Sequence, residues 1–92
     1  MKIVVFGAGN IGRGFLGQLF HEAGWEVVLV DANERLVETL RAHPEYPVRL
    51  VDNLSDRTFW VGPVRCIDVR DAKAVLAELE SADLAATAVG PS

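Results

Sequence analysis

The 92-residue chain is short of several things, and each shortage narrows its function. It has one cysteine, Cys66, so no disulfide can close within it. No histidine lies near that thiol, which excludes a zinc-ligand spacing. A lone thiol of this kind reads as a small buried apolar residue suited to a reducing compartment. Positive charge is also scarce. Nine Lys and Arg stand against 13 Asp and Glu, for a net charge of −4. Nucleic-acid surfaces are normally basic, so none is expected. Long apolar runs are missing. Ile3 to Phe6 is too short for a signal core or a membrane span. The expectation is a cytoplasmic protein with neither membrane nor nucleic-acid partners. Internal repeats, low-complexity tracts and disordered linkers are absent too. The length suits one small domain with a modest core, not two domains.

What is present alternates between strand and helix. Lys2–Phe6 is a short apolar run that suits a strand buried on both faces of a parallel sheet. After the glycines, Ile11, Phe15, Leu16, Leu19, Phe20 and Ala23 recur at helical spacing and predict one apolar stripe, with Gly24 as the stop. Val27–Val30 is a second buried strand with Asp31 at its carboxyl end. Asn33 can cap a helix that turns Leu36, Val37 and Leu40 inward, ended by Pro44 and Pro47. The segments 48–51, 57–61 and 64–69 are rich in β-branched residues and separated by Asp52-Asn53 and Gly62-Pro63. They predict three short strands in a small antiparallel excursion. Asp71 can cap a third helix carrying Val75, Leu76 and Leu79, and an apolar strand from Leu84 leads into Gly90-Pro91. The fold class is therefore α/β: a Rossmann-type parallel sheet flanked by helices, with an antiparallel excursion in the middle.

The chemistry lies in Gly7-Ala8-Gly9-Asn10-Ile11-Gly12. Gly7 allows a tight strand-to-helix turn. Gly9, without a Cβ, lets the backbone approach a pyrophosphate. Gly12 lets helix and strand pack closely. Free N–H groups at the helix start and the helix dipole then favour phosphates. Three glycines at this spacing arise by chance in roughly 3% of chains this size, so context has to decide. Here the motif follows a buried strand and opens an amphipathic helix. Asp31 stands nineteen residues past Gly12, at the end of the next strand. This is the setting a dinucleotide fingerprint requires. Asp31 is placed to hydrogen-bond ribose hydroxyls and to repel the extra phosphate of NADP, and no Arg occupies position 32 or 33, Arg35 being the nearest. The expected cofactor is NAD.

Further candidates border the same turn. Arg13 can touch the phosphates or lie exposed on the helix. Asn10 can cap the helix or meet the cofactor. Phe6 precedes the motif, and Ala88-Val89-Gly90 ends the last strand at the carboxyl edge, where open α/β sheets bind ligands. The expected cofactor site is Phe6, Gly7, Ala8, Gly9, Asn10, Ile11, Gly12, Arg13, Asp31, Ala88, Val89 and Gly90. His21 sits on the wrong end of its helix for catalysis, and His43 reads as a helix-end residue. The pairs Asp52/Asp56 and Asp68/Asp71 read as turn and cap residues, and Trp25 and Trp60 as partly buried packing groups. No general base, metal cluster or nucleophile stands out. A non-catalytic nucleotide-sensing module and a flavoprotein share the glycine turn, although a flavoprotein more often carries Glu at the position of Asp31.

The stretch Phe6-Gly7-Ala8-Gly9-Asn10-Ile11-Gly12-Arg13-Gly14-Phe15 resembles the opening of the mannitol-1-phosphate 5-dehydrogenases, within the polyol-specific long-chain dehydrogenases. Asp83-Leu84 with Thr87-Ala88-Val89-Gly90-Pro91 is similar to their fourth-strand segment, and the excursion from Pro44 to Val69 has a similar length. The resemblance covers the whole chain. It implies NAD-dependent interconversion of mannitol 1-phosphate and fructose 6-phosphate. It also implies that residues 1–92 are the N-terminal part of an NAD-binding Rossmann domain, one piece of a longer protein. The catalytic lysine of such enzymes lies in a mostly helical C-terminal domain that also receives the sugar phosphate, and neither Lys2 nor Lys73 matches it. Mannitol 2-dehydrogenases and uronate reductases share this architecture. Hydride transfer needs an acid/base group within reach of the substrate. The 92 residues alone should therefore show no turnover of mannitol 1-phosphate with NAD, followed by nicotinamide absorbance; measurable turnover would overturn this expectation.

Overall fold

The computed structural model describes residues 1–88, with Asn10 and Ile11 described through their backbone alone. In chain order, β1 (Lys2–Phe6) leads into a π-helical segment (Asn10–Leu16) that continues as α1 (Gly17–Glu22). There follow β2 (Glu26–Asp31), α2 (Glu34–Ala42), β3 (Tyr46–Val51), β4 (Asp56–Val61), β5 (Arg65–Asp68), α3 (Ala72–Glu80) and β6 (Leu84–Thr87). Among the described residues four parallel strands form one sheet in the order β5-β2-β1-β6, while β3 and β4 pair antiparallel by themselves. In register, Val5 lies beside Leu29 on one side and Ala86 on the other, and Leu29 lies beside Cys66.

Alternation along the strands fills both faces. Ile3, Val5, Val27, Leu29 and Cys66 meet Val37 and Leu40 of α2, together with Tyr46 and Val61 of the hairpin. Val4, Val28, Val30 and Ile67 meet Val75 of α3 on the opposite face. Strands covered on both sides carry continuous apolar runs, which is why Lys2–Phe6 and Val27–Val30 read so plainly. The side chains of Asn33 and Asp71 accept from the N–H groups of Leu36 and Ala74 and so cap α2 and α3. Gly24, at φ +83°, follows the end of α1.

Three expectations need correction. The segment 64–69 does not belong to the antiparallel excursion. Its core, β5, is a parallel strand of the main sheet, with Cys66 and Ile67 buried on opposite faces. The stripe expected of the first helix is split: Leu16 and Phe20 pack inward, whereas Phe15 is 66% exposed and Leu19 51%. A π-helical turn closes i→i+5, so α-helical counting places later residues on the wrong face. Trp60, expected to be partly buried, is 65% exposed on the hairpin. Trp25 does pack, edge-on to Phe20 with centroids 5.0 Å apart.

The amino end of the sheet is held by ions. Lys2 Nζ donates to Glu78 (3.0 Å) and to Ser81 Oγ, and Arg65 bridges Glu78 (2.5 Å) and Glu26 (2.7 Å). Hydrogen bonds from Arg65, then from Lys2, hold the Glu78 carboxyl below its ordinary value of 4.5. A lowered folded value means that this stability is present above the unfolded value and is lost as pH falls through the folded one. Glu78→Gln should lower urea stability at neutral pH by about 1–3 kcal/mol. It should also flatten the loss of stability between about pH 5 and pH 3. An unchanged acid limb would show that Glu78 does not carry it.

Candidate functional site

The site starts where β1 ends. Gly7, at φ +108°, takes a conformation that a side chain would strain, and its N–H donates to the Val30 carbonyl at 2.7 Å. The chain thus turns without leaving β2. Ala8 is fully buried beneath the turn, and its N–H donates to Asp31 Oδ2 at 2.8 Å. Asp31 Oδ1 accepts from Asn33 N–H, also at 2.8 Å. One carboxylate therefore latches the glycine turn to the end of β2 and to the entry of α2. An ionised carboxylate has about four acceptor positions, so two filled by backbone leave room for hydroxyl donors.

The glycines are needed for different reasons. A Cβ on Gly12 would lie 2.0 Å from the Gly7 carbonyl oxygen and 3.3 Å from Ala88 Cβ, so the helix crosses the strand end only without one. Gly9 has φ −75° and ψ −163°, and a Cβ there would meet nothing within 4 Å. Neither backbone strain nor a protein neighbour demands glycine at position 9. Its bare backbone faces open space, the cradle that a pyrophosphate pressed against the turn would use. The residues present fit a dinucleotide.

Phe6, Gly7 and Asp31 line one cleft of about 230 Å³ with Val30, Ala32 and Val69. Ala8 joins through Asp31. Gly12 and Ala88 join through their close approach, and Ala88 N–H donates to the Phe6 carbonyl at 2.8 Å. Arg13 N–H closes the first turn on the Gly9 carbonyl at 2.8 Å, and the Arg13 carbonyl accepts from Tyr46 Oη at 2.6 Å. Asn10 and Ile11 stand at the start of the π-helical segment. Val89 and Gly90 lie outside the described residues. Val30, Ala32 and Val69 were not foreseen. Val69 is hard to find while 64–69 is read as part of the excursion; once β5 pairs with β2, the residue after it falls beside Asp31, and its N–H donates to the Asp31 carbonyl at 3.0 Å.

The same pairing brings Arg70 to this edge. Its guanidinium is held by Glu34 (2.7 Å) and Asp68 (2.5 Å), and the Asp68 carboxyl falls to about 2 under hydrogen bonds from Arg70. Cys66 is no nucleophile: burial, reinforced by the Asp31 charge, pushes its thiol up to about 11, so it stays protonated at neutral pH. No cluster of three or more His, Cys, Asp or Glu able to hold a metal occurs among the described residues. None of their helices is long and apolar enough to cross a membrane.

Gly12→Ala should lower stability by about 1–3 kcal/mol in urea unfolding, as overpacking does, because carbonyl and Cβ cannot share the space. Gly9→Ala should leave stability within about 0.5 kcal/mol while weakening any ligand on the turn. A Gly12→Ala chain as stable as the wild type would refute the packing argument.

Comparison with known proteins gives the family. The family described as the mannitol dehydrogenase Rossmann domain matches residues 1–92. A mannitol-1-phosphate 5-dehydrogenase of Brevibacillus brevis is 46% identical over 92 residues, covering 100% of this chain and 24% of that protein. One from Arthrobacter sp. strain FB24 is 48% identical over 93 residues, covering 99% of the chain and 24% of its own length. One from Aspergillus clavatus is 38% identical over 92 residues, with 99% and 24% covered. The chain spans about a quarter of the length of these curated relatives. With its parallel sheet, glycine turn and acidic latch, the chain belongs to the mannitol dehydrogenase family as a Rossmann domain.

Proposed function

We propose that this chain is the NAD-binding portion of an oxidoreductase that interconverts mannitol 1-phosphate and fructose 6-phosphate in the cytoplasm. The observation that carries the cofactor reading is Asp31, whose carboxylate latches Ala8 and borders the cleft of Phe6, Gly7, Val30, Ala32 and Val69. The apolar walls suit an adenine, and the free acceptor positions of Asp31 suit the ribose hydroxyls next to it. The turn Gly7–Gly12, with Arg13, would take the pyrophosphate on backbone N–H groups and the helix dipole. Ala88, Val89 and Gly90 would border the nicotinamide side. When bound, the dinucleotide supplies the hydride acceptor or donor. This chain's own part is to bind it, orient it and keep its phosphates in register.

The preference for NAD over NADP rests on charge. A 2′-phosphate would meet the Asp31 carboxylate, and the nearby cation Arg70 is already engaged by Glu34 and Asp68. Like charges brought together at a binding surface cost on the order of a few kcal/mol. The polyol-phosphate substrate is inferred from the names of the relatives and from Asn10-Ile11-Gly12-Arg13-Gly14-Phe15. On this reading the proton-transfer group belongs to the part of such proteins that this chain does not span.

Titration of the chain with NADH and NADPH, followed by nicotinamide fluorescence, tests this. NADH should bind at least about tenfold tighter, and Asp31→Asn should narrow the gap. Equal or tighter NADPH binding would overturn the role of Asp31, and binding of neither would overturn the cofactor reading.

A further inference from the structure

The β3–β4 hairpin is an addition that a minimal Rossmann half does not require, and one of its side chains reaches the phosphate helix. Tyr46, the first residue of β3, is buried against the sheet core, and its Oη donates to the Arg13 carbonyl at 2.6 Å. Arg13 is the fourth residue of the π-helical segment, one position past Gly12. A second observation concerns Gly17, where that segment passes into α1. A Cβ on Gly17 would lie 2.5 Å from Tyr46 Oη and 3.7 Å from its Cζ. The helix is therefore bare of side chain where the phenol enters. A phenol ring is rigid, so such a clash could be relieved only by moving the ring or the helix. Burial also pushes the Tyr46 phenol up to about 12, so the hydroxyl keeps its proton and remains a donor at physiological pH.

We propose that Tyr46 is a positioning residue for the cofactor pyrophosphate: its hydroxyl, seated over Gly17, anchors the Arg13 carbonyl and so fixes the π-helical turn that presents Gly9–Arg13. π-Helical turns give up regular i→i+4 bonding and tend to persist where neighbouring structure enforces them, often at functional sites. Here the enforcing element is the hairpin. This inference rests on the dinucleotide reading above and assigns the excursion a role within it.

Two variants and two ligands test it. Tyr46→Phe keeps the ring and removes the donor. It should weaken NADH binding about fivefold, the scale of one hydrogen bond, while leaving adenosine, measured by displacement of NADH, unchanged. A purely structural tyrosine would lower the unfolding midpoint without separating the two ligands. Gly17→Ala should also weaken NADH, because the new methyl pushes on Tyr46 Oη. In the Tyr46→Phe background the same substitution should cost little, since the opposing hydroxyl is gone. Circular dichroism would confirm that each variant is folded, and if Tyr46→Phe is too unstable to titrate, Gly17→Ala alone supplies the answer: weaker NADH with unchanged adenosine supports the role, and no change in NADH overturns it. If the wild type binds NADH and Tyr46→Phe binds it equally well, or loses NADH and adenosine alike, the positioning role is overturned and the cofactor reading stands. If Gly17→Ala costs the same in both backgrounds, the proposed seat is wrong. If the wild type binds no NADH, the cofactor reading falls and this inference with it.

Discussion

The helix after β1 can cross the end of the sheet only because Gly12 presents a hydrogen to the Gly7 carbonyl, where a Cβ would stand 2.0 Å away. Much of the local architecture depends on that approach. It lets the π-helical segment start directly above the strand end. It brings Ala88, after β6, into contact with the same point. It also leaves the backbone of Gly9 facing outward over unfilled space. A helix displaced by one methyl group would move the N–H groups of the turn away from the strand edge, and with them any phosphate held there.

Asp31 joins this packing to the neighbouring cleft. Its two oxygens accept from Ala8 and Asn33, so one carboxylate ties together the glycine turn, the end of β2 and the cap of α2. The charge sits beside a cleft with largely apolar walls, where the proposed function puts a ribose next to an adenine. The network at the other end of the sheet, Lys2–Glu78–Arg65–Glu26, has a different role. It joins β1, β2, β5 and α3 at the end of the sheet away from the turn.

Much of this was legible in the sequence because it is local. The double-sided strands announce themselves as apolar runs, since burial on both faces removes the polar alternation. Asn33 and Asp71 are caps that act over three residues. The glycine spacing with Asp31 is a local pattern on a βαβ frame. The failures share one cause as well. Segment 64–69 has the composition of a hairpin strand, and only its pairing with β2 makes it part of the sheet. Phe15, Leu19 and Trp60 were misplaced because a π-helical turn and an outlying hairpin change which face meets the core. Neither leaves a periodic trace in the chain.

The sequence by itself determined the βαβ unit, its caps, the glycine turn and the acidic residue at the end of β2, because each depends on neighbours a few residues away or on a burial pattern written along a strand. Only the tertiary structure decided that Val69 stands beside Asp31, that the second hairpin strand gives way to a sheet strand, and that Tyr46 reaches across 33 positions to the Arg13 carbonyl. Those contacts join residues far apart in the chain. Strand order and the path of the hairpin bring them together, and local propensity carries no record of either.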